Sequence, residues 1–165
     1  MSHRLGCELA DKLAAIAPVV RTLTGRLADG CKPARPIPVL MFFGTADKIV
    51  PFGGGMQKMG SVESPVLSAR DTIRKWAKID GCGVPATAHE QNVEHIRYAN
   101  CQSGAEVETY IREGAGHVWP AGAAEVIWAF FEKDRLQVVT RRGSGDAAPA
   151  PPPALGKLTT STGRH

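Results

Sequence analysis

The sequence predicts an α/β fold in which helices cover both faces of a largely parallel sheet, and three observations carry that expectation. Pro38-Val39-Leu40-Met41-Phe42-Phe43 is an unbroken apolar run of strand length, the pattern of a strand buried on both faces. Two apolar stripes at helical spacing, Val66/Ala69/Ile73/Trp76/Ala77 and Val126/Ile127/Phe130/Phe131, supply helices to pack against it. Strand-like and helix-like segments then alternate along the chain, as in a three-layer αβα arrangement.

At 165 residues, with 43% hydrophobic and 22% charged residues, the chain is long enough for one domain with a core of its own. Met1, Leu5, Leu9 and Leu13 recur at helical spacing, and no capping residue precedes them, so the natural beginning is expected to lie upstream. Ala14 to Val20 is a short apolar run that reads as a buried strand with Pro18 near its end. Residues 21–36 form a connector broken by Gly25, Asp29, Gly30, Pro33 and Pro36. The central strand ends in Gly44-Thr45-Ala46-Asp47, which puts Asp47 just past a carboxyl end, where open α/β sheets hold their chemistry. Lys48 to Glu63 reads as a glycine-rich loop. Its run Gly53-Gly54-Gly55 matches neither a dinucleotide fingerprint nor a P-loop, so no nucleotide or other cofactor is expected.

Ser64-Pro65 then reads as N-cap and first residue of a helix that stops near Gly81. Alternation over 93–98 and 106–111, with turn residues between Asn100 and Gly104, predicts an antiparallel hairpin. Gly114-Ala115-Gly116-His117-Val118-Trp119-Pro120 follows the second of these strands, and a helix from Ala123 closes the fold. Residues 1–139 are therefore expected to form the folded domain. Residues 140–165, rich in glycine, alanine and proline, are expected to form a disordered tail or linker.

The net charge of +4 comes from 20 basic and 16 acidic residues. The basic residues are scattered, with no aromatic-basic stripe, so they read as solvated surface and no nucleic-acid partner is expected. An apolar run of about 18 residues is absent, which argues against a membrane span. Met1-Ser2-His3-Arg4 runs straight into a helical pattern without the apolar segment of a signal peptide. None of Cys7, Cys31, Cys82 and Cys101 forms a C-x-x-C pair or lies near a histidine at zinc-ligand spacing, so no metal is expected. Two readings stay open for them: bridges Cys82 to Cys101 and Cys7 to Cys31, or unpaired buried thiols.

A histidine on a glycine-rich turn directly after a strand is poorly explained as core filling. Asp47 lies after another strand and could accept its imidazole N–H, fixing the tautomer and stabilising the imidazolium formed when the other ring nitrogen takes a proton. Asp47 taken singly reads as a turn residue; the two together read as a catalytic base, His117, and its orienter. The order strand, helix, strand, Asp loop, helix, strand, His loop, helix is that of the second half of an α/β-hydrolase sheet, incomplete at its N-terminus, in which a serine nucleophile precedes the acid and the histidine.

Residues 44–52, Gly44-Thr45-Ala46-Asp47-Lys48-Ile49-Val50-Pro51-Phe52, together with residues 114–120 and the opening Met1 to Asp11, resemble the secreted polyhydroxybutyrate depolymerase and feruloyl esterase family of α/β-hydrolases. The resemblance runs from Met1 to about Leu136. It implies a serine carboxylic-ester hydrolase acting through an acyl-enzyme, with Asp47 and His117 catalytic, a polyester or aryl ester as substrate, and a secreted or periplasmic location. Trp119 and Phe52 are the candidates to line the acyl or aromatic site. The family's elbow, G-x-S-x-G-G, has no counterpart here: Gly143-Ser144-Gly145 lies in the tail, and Ser2 belongs to the helix after the elbow. The expectation is a C-terminal portion that is inactive by itself, with an open sheet edge along Ala14 to Val20 through which it self-associates. The competing reading is a non-catalytic, degenerate hydrolase module with a binding role or no independent function.

Overall fold

A computed structural model describes residues 1–134. The expected tail over residues 140–165 lies outside the described residues, as does the end of the expected domain. Six strands and four α-helices are present among the described residues. They run α1 (Ser2–Glu8), α2 (Gly25–Gly30), β1 (Val39–Gly44), β2 (Gly55–Met59), β3 (Val62–Val66), α3 (Ala69–Ile79), β4 (Ala86–Glu90), β5 (Val93–Tyr98), β6 (Val107–Arg112) and α4 (Ala123–Lys133).

The main sheet has the order β1-β6-β5-β4 and is mixed. β1 and β6 are parallel, in register from Val39 opposite Val107 to Gly44 opposite Arg112, while β5 lies antiparallel to both β6 and β4. β1 is buried along its whole length, and its side chains alternate between two cores. Val39, Met41 and Phe43 pack with Cys7, Leu23, Ala28, Ile73 and Trp76, whereas Leu40 and Phe42 pack with Ala123 and Phe130 of α4. Helices thus pack on both faces of an α/β fold, and the 93–111 hairpin is present as β5 and β6; the sheet is less parallel than expected, because that hairpin and β4 make two of its three strand pairs antiparallel.

Other elements differ from the sequence reading for identifiable reasons. α1 does not bury the stripe Met1/Leu5/Leu9/Leu13: Met1 and Leu9 are exposed, and the buried positions are His3, Gly6, Cys7 and Ala10. Packing against α3 decides this face. Trp76 Nε1–H donates to His3 Nδ1 at 3.0 Å, and a Cβ at Gly6 would lie 3.1 Å from the Trp76 ring and 2.6 Å from the end of the Ile16 side chain, which would have to move aside. Ala14 to Val20 lies parallel to β1 but as separate bridges, Ile16 to Val39 and Val19 to Phe42. Ile16 and Val20 donate to the carbonyls of Pro38 and Phe42, and Pro18, between them, has no N–H to supply the intervening rung.

The helix expected to start at Ser64-Pro65 starts later. Both residues lie in β3, paired with β2 across the two-residue turn Gly60-Ser61, so the presumed loop from Lys48 to Glu63 contains half of a hairpin. Its polar, glycine-rich composition hid the strand period. The true N-cap is Ser68, whose Oγ accepts from the Asp71 N–H at 2.9 Å. α3 ends as expected near Gly81, which takes φ +61° while the Cys82 N–H reaches back to the Ala77 carbonyl. β4, exposed throughout, has no apolar residue facing a core and so gave no signal.

Both cysteine pairs are bridged. Cys7–Cys31 ties α1 to the end of α2, and Cys82–Cys101 ties the exit of α3 to the turn before β6.

Candidate active site

The carboxyl ends of β1 and β6 lie side by side, so the loops leaving them run together. Their backbones are fastened at three points. Thr45 N–H donates to the Arg112 carbonyl at 3.1 Å, Ala46 N–H to the Ala115 carbonyl at 2.9 Å, and Gly114 N–H to Thr45 Oγ1 at 2.9 Å. Gly44 permits this approach: an added Cβ would sit 2.3 Å from the Ala115 carbonyl oxygen. Gly114 turns the second loop at φ +71°, a conformation that glycine adopts without strain.

These contacts bring Asp47 and His117 together. His117 Nδ1 lies 2.8 Å from Asp47 Oδ2. A carboxylate only accepts, so Nδ1 carries the hydrogen and Nε2 presents its lone pair. Asp47 Oδ1 accepts from the N–H groups of Ile49 and Val50, both at 2.8 Å, which fixes the rotamer of the carboxylate. The Asp47 side chain is 3% exposed and that of His117 32% exposed, so the pair is sealed on the acid side and open on the base side.

His117 opens on a cavity of about 310 Å³ that is also lined by Met1, Ser2, Pro18, Val19, Val20 and Arg21. Among the described residues, no serine, threonine or cysteine side chain hydrogen-bonds to Nε2; Ser2 lines the cavity without such a bond. Val20 takes φ +45°. A β-branched residue there carries strain of about 1–3 kcal/mol, and strain of this kind concentrates where a wall of a site must be held in one shape.

Trp119 is 63% exposed and lines a smaller cavity of about 70 Å³ beside the same loop, with Val20, Gly44 and Arg112. Phe52 lies elsewhere. It is half-buried against the core beneath α3, with the Arg70 guanidinium 6.0 Å above its ring, and it does not line the His117 cavity. The loop-fastening contacts of Gly44 and Thr45 and the cavity walls at Val20 and Arg21 escaped the sequence reading. The glycine directly before an acid-bearing turn was a usable signal for close backbone approach; nothing in the sequence marks a positive φ at valine.

A second polar cluster lies on the α4 side of the sheet. His95 stacks on Tyr110 at 4.4 Å, and both ring systems reach Glu108 Oε1, His95 Nε2 at 2.8 Å and the Tyr110 hydroxyl at 2.9 Å. Lys133 and Arg97 both pair with Glu106. These groups satisfy one another and have no contact with His117. Among the described residues, no group of three His, Cys, Asp or Glu side chains could hold a metal ion, and no helix is long and apolar enough to cross a membrane.

No protein-family model matches the chain. Individual proteins do. The chain is 35% identical over 139 residues to feruloyl esterase B of Piromyces equi, an alignment that covers 82% of this chain and 26% of that protein. It is 29% identical over 137 residues to a protein of Nocardia uniformis subsp. tsuyamanensis named "Putative esterase NocK", covering 74% of this chain and 40% of that protein. The chain therefore spans well under half the length of either relative. By this similarity the chain belongs to an esterase family that includes feruloyl esterase B.

Proposed function

We propose that this chain is the acid-and-base portion of a serine carboxylic-ester hydrolase, polyhydroxybutyrate depolymerase-like or feruloyl/acetyl esterase-like, with His117 as general base and Asp47 as its orienter. The observation that carries the reading is the 2.8 Å contact from His117 Nδ1 to a sealed carboxylate, in a histidine that itself lines an open cavity. In the intact protein Nε2 removes the serine proton as Oγ attacks the ester carbonyl, and Asp47 stabilises the resulting imidazolium. The imidazolium then protonates the leaving alcohol, and the acyl-enzyme is hydrolysed by water activated at the same nitrogen. The serine and its oxyanion donors are assigned to sequence outside these 165 residues. Trp119, exposed beside the catalytic turn, is assigned to the substrate side.

Two disulfides suit an oxidising compartment, and we assign the intact protein to the secreted or periplasmic space. Among the described residues, the backbone groups of Ala15, Ala17 and Val19 make no hydrogen bond, and we infer that this open row leads the isolated chain to self-associate. The test is hydrolysis of p-nitrophenyl and feruloyl esters. The purified chain is expected to be inactive. The chain joined to an in-frame upstream segment carrying G-x-S-x-G is expected to be active and to lose turnover in His117→Ala. Ester hydrolysis by the 165-residue chain that His117→Ala abolishes would refute the assignment of the nucleophile. Full activity of the His117→Ala variant in the joined protein would refute the reading as a whole.

A further inference from the structure

A cavity of about 480 Å³ lies on the α4 side of the sheet, between the strands and the turn that leads into α4. It extends over β1, β6, β5 and β4, whereas Ala14 to Val20 flank the other edge of β1, and His117 does not line it.

Strand register builds its floor. Phe42 of β1 stands opposite Tyr110 of β6, Tyr110 opposite His95 of β5, and His95 opposite Ala88 of β4. The four residues therefore share one rung and one face of the sheet, and all four border the cavity. Neighbouring strands lie about 4.8 Å apart, close to the separation of stacked rings, so aromatic residues on successive strands of one rung can stack. The first three do. Phe42 and Tyr110 have ring centroids 5.4 Å apart and planes 13° from parallel; for Tyr110 and His95 the values are 4.4 Å and 8°. The ladder then stops, because the fourth position carries only the methyl group of Ala88, on a strand exposed along its whole length.

The polar tips of the ladder are already engaged. The Tyr110 hydroxyl and His95 Nε2 both bond to Glu108 Oε1, and Glu108 does not border the cavity, so the ladder offers it mainly ring surface. The next rung adds one charge of each sign, Arg112 and Glu90 on either side of Val93, and the two together select no ion. Val126, Pro120 and Ala121 give apolar walls. Mostly apolar lining with a few polar groups, in a volume of about 300–1,000 Å³, is the usual make-up of a small-molecule site.

We propose that this cavity binds a neutral planar aromatic ring, which stacks on His95 above Ala88 as the fourth ring of the Phe42–Tyr110–His95 ladder. The site is independent of the esterase reading, since His117 takes no part in it.

Phenol, with cyclohexanol as its saturated counterpart, is titrated into the chain while the imidazole resonances of His95 and His117 are followed by NMR. Phenol is expected to move the His95 resonances upfield, the effect of a ring stacked on the imidazole, and to leave those of His117 in place; cyclohexanol is expected to move neither. Ala88→Tyr puts the chain's own ring at the fourth position, on an exposed strand that suits tyrosine, and should abolish the phenol-induced shift. His95→Gln keeps a donor for Glu108 and removes the ring. Followed at Tyr110, it should weaken phenol binding about threefold or more, the worth of one ring pair, and it decides the matter by itself if Ala88→Tyr does not fold. The site is refuted if phenol leaves His95 unmoved, if its shift persists in Ala88→Tyr, or if its affinity is the same in His95→Gln. Equal binding of cyclohexanol, or shifts at His117 without shifts at His95, would refute it as well.

Discussion

Adding one methyl group at Gly44 tests whether the two loops hold Asp47 and His117, the proposed catalytic pair, in place. In Gly44→Ala the new Cβ would lie 2.3 Å from the Ala115 carbonyl oxygen and 2.8 Å from that of Gly116, both backbone atoms that cannot rotate away. Real Cβ contacts stay beyond 3.0 Å, so the His117 loop must retreat by at least about 0.7 Å. The Ala46 to Ala115 hydrogen bond at 2.9 Å and the His117 to Asp47 contact at 2.8 Å would both stretch toward the limit of bonding. Overpacking of this kind costs about 1–3 kcal/mol, and a misplacement of about 1 Å costs roughly a hundredfold in rate. Urea unfolding of the isolated chain reads the first effect. The exchange-protected Nδ1–H signal of His117 reads the second in the chain, and ester turnover reads it in the joined protein. A variant with unchanged unfolding free energy and an unchanged Nδ1–H signal would refute the claim that Gly44 sets the distance between the loops.

Two further perturbations follow from buried groups and from the bridges. His3 accepts from Trp76 and donates to the Arg21 carbonyl, so protonating it breaks a buried bond; burial lowers its pKa to about 4, and its contribution, up to about 3 kcal/mol, is present above 6.5 and lost as pH falls toward 4. Asp80 runs the other way. Burial raises its carboxyl to about 7, partly offset by the Ile37 N–H, so its contribution, up to about 4 kcal/mol, is present below 3.8 and lost as pH rises to 7. Asp80→Asn should therefore flatten the loss on the rising side and leave the His3 slope in place when urea midpoints are followed across this range; a parallel shift of the whole curve would count against it. Replacing Cys82 and Cys101 by serine reopens a loop of 19 residues and should cost about 3 kcal/mol, read as a lower thermal midpoint in non-reducing buffer but not in reducing buffer.

The parts of the molecule legible in the sequence were those in which local pattern and tertiary demand agree. β1 is apolar at every position because both its faces are covered, and Asp47 and His117 sit on turns marked by glycines just past strand ends. α1 misled because its leucines are regularly spaced while its packing is decided by small residues, a cysteine bridge and a histidine that serves a tryptophan 73 residues away. Ser64-Pro65 carries a helix-start signal, yet tertiary pairing with β2 outweighs it and the cap passes to Ser68. The approach of Gly44 to Ala115 and the turn at Val20 depend on partners distant in the chain, so residue type alone could not announce them.

The parallel pairing of β1 with β6 acts as a ruler for chemistry. Gly44 stands opposite Arg112, and the residues that carry the acid and the base are counted off from that rung, three past Gly44 on one strand and five past Arg112 on the other. A slip of one residue would turn Val39 to Phe43 toward the wrong cores, and a slip of two would displace one loop by roughly 6.6 Å along its neighbour. Five buried side chains therefore guard an alignment that none of them touches. On the proposed reading, the alignment of His117 with Asp47 is inherited from hydrophobic packing deep in the sheet, and substitutions far from His117 that loosen this register should lengthen the His117–Asp47 contact before they harm folding.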